Sequence, residues 1–561
     1  MDTPFAPILS DAYALEETLE TAPSNLSGSI YTPPWLARIL VHKALAPRFE
    51  RRSLQQLARL RILDPACGSG IILLAAVELL NARLTTLGKR GALAALAPQM
   101  LFGIDKNPAA AEATRTLLAQ ALGAHDKATK RLLAAQIRTG DTILDDPSKH
   151  FELQTAFDVI LGNPPYGLAR GAQLTPRENS ALKQIFHRSR NGRINKYLAF
   201  MARGFELLRP GGTLAYIVPN AWLGIKEARN IRELFLKGGE LHEVVILPSN
   251  TFPGRGVETV LFVVQRGLAT SQIEIRRSTV GPAFPRRRLS YQRCQSEPEA
   301  PIPILWDDRT AAVWEHLTVL RTLSGGYFDA TPRIALQAYA TGRGTPPQSA
   351  AVVREHPFHS RAQSGLSSFK YLQGRDIKPY RITWSGWYLS HGPWLAEPQQ
   401  LAFFSGPRVI VREILAPPPY SVSSAYIEET ALYNRSVLHI LSQDTAFLHA
   451  LVGILNSRLA TFIFMTRGRK GARHLFPKLL IADLKEFPLP DGDLRESALS
   501  RLVARLGDTP PDATTTAAID REVYELYRLS PGHIATIERT TAKIHPSLGF
   551  KNHEQYPTKN K

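Results

Sequence analysis

Residues 157–161, Phe-Asp-Val-Ile-Leu, form a short, mostly apolar run that stops at Gly162-Asn163-Pro164-Pro165-Tyr166. Each proline removes a backbone donor and locks φ, so neither a strand ladder nor a helix continues through the pair. The chain is thereby committed to a buried strand with a rigid turn at its C-terminal end. Such a turn presents the Asn163 side-chain oxygen and the Pro164 carbonyl in fixed directions, with the Tyr166 ring beside them. Two fixed acceptors suit a planar exocyclic NH2 group, and an aromatic face suits a base taken out of its stack.

Strand-then-turn units recur upstream. Arg61-Ile62-Leu63 reads as a strand, followed by Asp64-Pro65-Ala66-Cys67-Gly68-Ser69-Gly70 and a helix over 71–84. Glycines there allow a tight turn and close approach by a ligand. The spacing is not G-x-G-x-x-G, and the Lys-Ser/Thr of a phosphate loop is missing. Leu101–Ile104 reads as a second strand ending at Asp105, where an acid can take both ribose hydroxyls. Asp105 lies 41 residues after Asp64, against about 20 in the usual dinucleotide pattern; a helical insert over 85–100 fills the difference. Asp141 is placed at the end of a third strand, able to accept from an exocyclic amine. Helices are predicted at 109–122 and 197–208, and a strand at 214–218. Two strands around 244–264 have little helix between them and predict an antiparallel edge. This alternation predicts an α/β fold with a doubly wound, mostly parallel, Rossmann-like sheet and its site at the strand C-termini.

After about residue 267 proline and arginine become frequent and the periodicity weakens. The expected division is a peripheral segment 1–25, a catalytic domain 26–270, a second, α+β domain 271–535 whose last part is helical, and a polar tail 536–561. Lys plus Arg is 68 against 49 Asp plus Glu, a net charge of +19, which favours a polyanionic partner. Two cysteines, Cys67 and Cys294, cannot make a disulfide framework or a four-cysteine zinc site. No signal peptide is visible and no stretch reaches membrane-spanning length, so a cytoplasmic protein without a membrane partner is expected.

Asp-Pro-Ala-Cys-Gly-Ser-Gly followed by Asn-Pro-Pro-Tyr resembles the N6-adenine DNA methyltransferases, and the order of the two halves resembles their gamma group, found in restriction–modification systems. Gly28–Pro34, Asn195–Phe200, Leu208–Gly212, Phe252-Pro253 with Val257–Val260, Gly374–Pro379 and the helix with basic loop at 447–476 resemble further segments of that family. The resemblance covers roughly residues 25–535. It implies S-adenosylmethionine as methyl donor. Tyr31, Thr32, Asp64, Ala66 and Gly68 would line its methionine part, Asp105 its ribose and Asp141 its adenine amine. Asn163 and Pro164 would hold the target N6, with Pro165 fixing the turn, and Tyr166 and Phe252 would sandwich the flipped adenine. The activity implied is that of a site-specific adenine DNA methyltransferase (EC 2.1.1.72), a monomer acting on double-stranded DNA and protecting it from a cognate restriction endonuclease. No metal is needed.

Segment 167–196 carries seven Lys and Arg against one acid, Glu178. Arg188, Arg190, Arg193 and Lys196 are its candidates for phosphate contact beside the flipped base, and Arg467, Arg469, Lys470 and Arg473 are those of a second basic loop. Cys67 lies inside the cofactor turn without the Pro-Cys loop and glutamate of cytosine C5 methylation, and reads as a small turn residue. Three other readings compete: a bifunctional enzyme with a fused nuclease, a methyltransferase for RNA or protein glutamine, and a DNA-specificity protein with an inactive methyltransferase domain. A nuclease core needs an Asp followed by Glu-x-Lys; no Glu-x-Lys occurs, and the expected N-terminal segment is short for such a domain. The length after the catalytic region and the charge favour DNA over the second reading, and the intact Asn163–Tyr166 motif counts against the third.

Overall fold

Phe157–Gly162 is buried along its whole length, as a parallel strand covered on both faces must be. The computed structural model describes residues 4–19, 31–50, 52–145, 151, 156–166, 180, 196–248, 251–252, 257–267, 272–277, 287–290, 294, 302, 307–324, 329–466 and 478–542. The chain divides into two compact units, Met1–Ile302 and Pro303–Lys561.

The first unit is built on strands β1 (Ile62–Asp64), β2 (Leu101–Asp105), β3 (Ile137–Thr139), β4 (Phe157–Gly162), β5 (Leu208–Pro219), β6 (Gly239–Ile246), β7 (Thr259–Arg266), β8 (Gln272–Arg277) and β9 (Arg287–Ser290). Its helices include α1 (Ala6–Thr18), α2 (Pro34–Phe49), α3 (Leu54–Ala58), α4 (Ile71–Thr86), α5 (Leu93–Met100), α6 (Pro108–Ala121), α7 (Lys127–Gln136), α8 (Lys196–Glu206) and α9 (Arg229–Gly238). The sheet order is β3-β2-β1-β4-β5-β7-β6-β8-β9. Strands β3 to β5 pair in parallel, with Ile62 opposite both Leu101 and Val159. The doubly wound, mostly parallel sheet is therefore present.

Four features differ from the sequence expectations. Strand β7 pairs antiparallel with both β5 and β6 and lies inside the sheet, not at its edge. Strands β8 and β9 continue the sheet, so the first unit runs past 270 to about 302; their arginines, Arg276, Arg277, Arg287 and Arg288, make them read as linker. Residues 6–18 are not peripheral. Helix α1 packs on α4 and α6 and buries Phe5, Leu9 and Ala12 in the core. The Arg209-Pro210-Gly211-Gly212 stretch expected to end a helix instead lies within the long β5.

The second unit is α+β. One antiparallel sheet joins Thr331–Ile334, Val437–Leu441, Arg408–Arg412 and Ser424–Ile427, and a second four-stranded sheet contains Ser368–Leu372. The run expected to be one buried helix over 445–465 is two, Thr445–Leu455 and Arg458–Thr466, meeting at 66°. Asn456 makes the break: its side chain accepts from the Ser424 N–H and donates to the Ser424 carbonyl, both at 2.9 Å. Helix Pro531–Ala542 buries Ile537 and Thr541, so this unit extends beyond 535. Among the described residues no single helix is long and apolar enough to cross a membrane.

Because α1 is held by its apolar face, Leu9→Ala should cost about 2–4 kcal/mol of stability, read by urea unfolding, with early loss of amide protection in α1. A loss below about 1 kcal/mol would mean that α1 is not part of the cooperative core.

Candidate active site

The order of the sheet reverses between β1 and β4, and the residues that follow these two strands meet there. Asp64 ends β1 and is fully buried; its Oδ1 accepts from the Ala66 N–H at 3.1 Å and so shapes its own turn. Asp105 ends β2. Its Oδ2 accepts from the Gly68 N–H at 2.9 Å and its Oδ1 from the Asn107 N–H at 2.8 Å. Gly68 has φ +55°, and a Cβ there would stand 2.8 Å from Glu16 Oε1. Only glycine combines that backbone with that approach. Gly162 at the end of β4 serves likewise: a Cβ would lie 2.9 Å from Asp64 Oδ1.

Glu16, near the end of α1, is the functional-site residue that the sequence reading missed. It reaches over the glycine turn, taking the Ser69 hydroxyl at 2.9 Å and the Ser69 N–H at 3.3 Å on Oε1, and Thr32 adds a backbone hydrogen bond. Nothing in α1 marks Glu16, which stands beside a second acid, Glu17, at the polar end of the helix. Three carboxyls thus converge on Gly68–Ser69, and all are pushed upward. Burial raises Glu16 to about 7, with Asp105 adding to the effect. Burial also raises Asp64 to about 8, helped by Asp105 and Glu16, and raises Asp105. Cys67 is buried beneath them, and burial with the Asp105 and Asp64 charges pushes its thiol well up. It is a poor nucleophile, in keeping with a small turn residue.

Asn163 follows β4 directly. Its Nδ2 donates to Thr32 Oγ1 at 3.0 Å, which orients the side-chain oxygen to the opposite side of the amide. Thr32 is thereby beside this turn, next to Tyr31 in the sequence, and Ala66 is in the turn after β1. Asp141 follows β3, but its Oδ1 accepts from the Ile143 and Leu144 N–H groups and its Oδ2 pairs with Lys106 at 3.2 Å. Tyr166 and Phe252 do come together, with ring centroids 6.4 Å apart at 81°. They do not form the parallel pair expected of a sandwich; the edge of one ring packs on the face of the other, an arrangement favoured by the aromatic quadrupole. Lys196 opens α8 and is half-buried. Arg188, Arg190, Arg193, Arg467, Arg469, Lys470 and Arg473 lie outside the described residues.

A doubly wound, Rossmann-like sheet, with acids at the ends of its first strands and Asn-Pro-Pro-Tyr after its fourth, characterises the first unit. Residues 99–252 match the family described as Eco57I restriction-modification methylase, and residues 369–489 match the TaqI-like C-terminal specificity domain. The type II methyltransferase M.TthHB8I of Thermus thermophilus is 30% identical over 251 residues, which is 44% of this chain and 47% of that protein. The type II restriction enzyme and methyltransferase RM.Eco57I of Escherichia coli is 29% identical over 112 residues, 20% of this chain and 11% of that protein. The chain therefore spans less than half the length of these relatives. In three dimensions it is similar to the type IIL restriction-modification enzyme MmeI in complex with DNA, with a TM-score of 0.63 at 12% identity, over 95% of this chain and 81% of that one.

The raised carboxyls carry a pH consequence. Glu16 and Asp64 stay protonated in the free folded protein at pH values where the unfolded chain ionises them. The stability these groups contribute is therefore fully present below about pH 4.5 for Glu16 and 3.8 for Asp64, and falls as pH rises towards 7 and 8 respectively. Glu16→Gln should remove roughly 3 kcal/mol of that decline. Urea unfolding from pH 5 to 8 checks it; parallel profiles for the two proteins would mean Glu16 titrates normally.

Proposed function

We propose that the chain is a site-specific DNA adenine N6-methyltransferase of the restriction–modification type, using S-adenosylmethionine. Asn163 carries the reading. Strand β4 delivers it, two prolines stiffen the turn, and Thr32 takes its amide nitrogen, so that its oxygen has one direction. With the Pro164 carbonyl it forms a pair of acceptors for the two hydrogens of an exocyclic amine. Adenine N6 is a poor nucleophile because its lone pair is delocalised into the ring. Acceptors on both hydrogens draw it towards sp3 geometry and offset the charge that develops as it attacks. Tyr166 and Phe252 hold the flipped base, one ring turning from its edge-on packing to lie against it.

The donor set fits the cofactor. A molecule bearing an ammonium and a sulfonium calls for carboxylates, and Asp64 Oδ2 and Glu16 Oε2 are buried oxygens without a hydrogen-bond partner among the described residues. When bound, the cofactor supplies a methyl group activated by the sulfonium. Glu16, Asp64 and the Ala66–Gly68 turn would face its methionine part with Tyr31 and Thr32, and Asp105 its ribose. Asp141 would take the adenine amine with the lone pairs not spent on Ile143 and Leu144. A cation among these acids favours their ionised forms.

Double-stranded DNA as substrate is supported by the +19 charge and by the specificity-domain match in the second unit. Lys196, Arg188, Arg190 and Arg193 would contact phosphates near the flipped base, and Arg467, Arg469, Lys470 and Arg473 would do so in the second unit. A cognate endonuclease would complete the system.

Asn163→Ala should lower methyl transfer to DNA by two or more orders of magnitude, about 3 kcal/mol of transition-state stabilisation, with cofactor affinity little changed. Transfer of labelled methyl at near wild-type rate would exclude this site. Asp105→Ala should weaken S-adenosylmethionine binding by roughly 1.5–3 kcal/mol in calorimetry; an unchanged affinity would move the ribose contact to another acid.

A further inference from the structure

At the opposite, N-terminal end of β4 in the first unit lies a second concave site, unrelated to the chemistry above. Asp158 is the second residue of β4, and at about 3.3 Å per residue the strand carries the chain some 16 Å from it to Asn163. Around Asp158 the structure opens a cavity of about 670 Å³, lined by Arg48, Arg52, Gln56, Arg59, Arg209 and Gln265 among others. The volume lies within the roughly 300–1,000 Å³ of small-ligand pockets.

The lining is lopsided in charge: four arginines against one acid. That acid is already used, since Asp158 Oδ1 accepts from Arg209 Nε at 2.6 Å and its Oδ2 from the Arg61 N–H at 2.9 Å. Arg48 is anchored from behind by Thr213 Oγ1 at 2.8 Å and by the Gly211 carbonyl. The Gln56 amide oxygen is held by the Ser53 N–H at 2.9 Å, which leaves Gln56 its donor end. Gln265 donates to the Gly211 carbonyl, and its oxygen meets His242 Nε2. Arg52 and Arg59 have no carboxylate partner among the described residues. What the walls offer is therefore donors, most of them cationic. Burial depresses the Arg48 guanidinium, and the Arg209 and Arg52 charges depress it further, so the group stands among like charges that a bound anion would relieve.

We propose that this pocket binds a compact polyphosphate anion, of the kind carried by inorganic triphosphate or the tail of a nucleoside triphosphate. Guanidinium forks pair bidentately with phosphate oxygens, and three uncompensated arginines match several negative charges better than one. The recess favours a small ligand over a duplex, which displays its phosphates on a convex surface. The site is at the end of β4 away from Asn163 and the acid cluster and does not depend on the function proposed for them.

The test is a titration of the full chain with inorganic triphosphate at low ionic strength, followed by calorimetry and 31P NMR, for wild type and for Arg52→Ala/Arg59→Ala. Both substituted side chains are at the pocket rim and outside the apolar core. Binding should saturate at one site and weaken by about tenfold or more in the variant, while S-adenosylmethionine binding and thermal unfolding without triphosphate stay at wild-type values. Orthophosphate should bind more weakly than triphosphate. Absence of saturable triphosphate binding to wild type, or equal binding by the variant, would overturn the proposal. So would a variant that loses affinity for duplex DNA with triphosphate binding unaltered, which would make this surface a duplex contact.

Discussion

Strands β1 and β4 are neighbours whose other neighbours run outward in opposite directions, β2 and β3 on one side and β5 on the other. Right-handed crossovers then send the connecting helices to opposite faces, and the chain parts at the C-terminal ends of these two strands. A crevice there is a consequence of connectivity, before any side chain is considered. The features of the candidate site are ways of lining that crevice: Asp64 and Asn163 at its two lips, glycines that let backbone and carboxylates come close, and α1 covering one end.

The acid cluster is costly for the free protein. Buried carboxyls with unsatisfied oxygens hold their protons or pay for their charge, and each of the three is raised. Natural folds keep such groups where a ligand compensates them. The hydrogen bonds from Gly68, Ala66 and Ser69 N–H groups show how the turn manages the cost meanwhile: each acid is held by the backbone of the glycine turn. Rigidity at one lip and at the other, where prolines do the same for Asn163, leaves the Tyr166–Phe252 pair as the part of the site with room to rearrange.

Much of this was legible in the chain. Strand β4 could be read because burial on both faces demands an apolar run and the prolines mark its end. Asp64, Asp105 and Asp141 could be placed because each closes such a run. Glu16 could not, since the Ser69 it holds lies 53 positions further along and α1 has no local signature for a ligand. Strand order was likewise hidden: β6 and β7 read as consecutive, and nothing local says that the later one lies between the earlier one and β5. Strands β8 and β9 carry four arginines, and only Ile273 and Ile275 of β8 mark a buried strand, so composition hid them. The break at Asn456 needed its partner, Ser424, to be visible.

That inserted strand has a bearing on synthesis. β5 finds its second neighbour only in β7, which begins forty residues after β5 ends. While the chain is emerging, β5 therefore presents a twelve-residue, largely apolar edge through the whole of α9 and β6, and β6 cannot cover it without taking the wrong place. Open edges of this kind recruit other chains. A ribosome-bound fragment ending between 219 and 259 is the most aggregation-prone intermediate of this unit, and a pause in translation there would be more harmful than one after β7 has closed the gap.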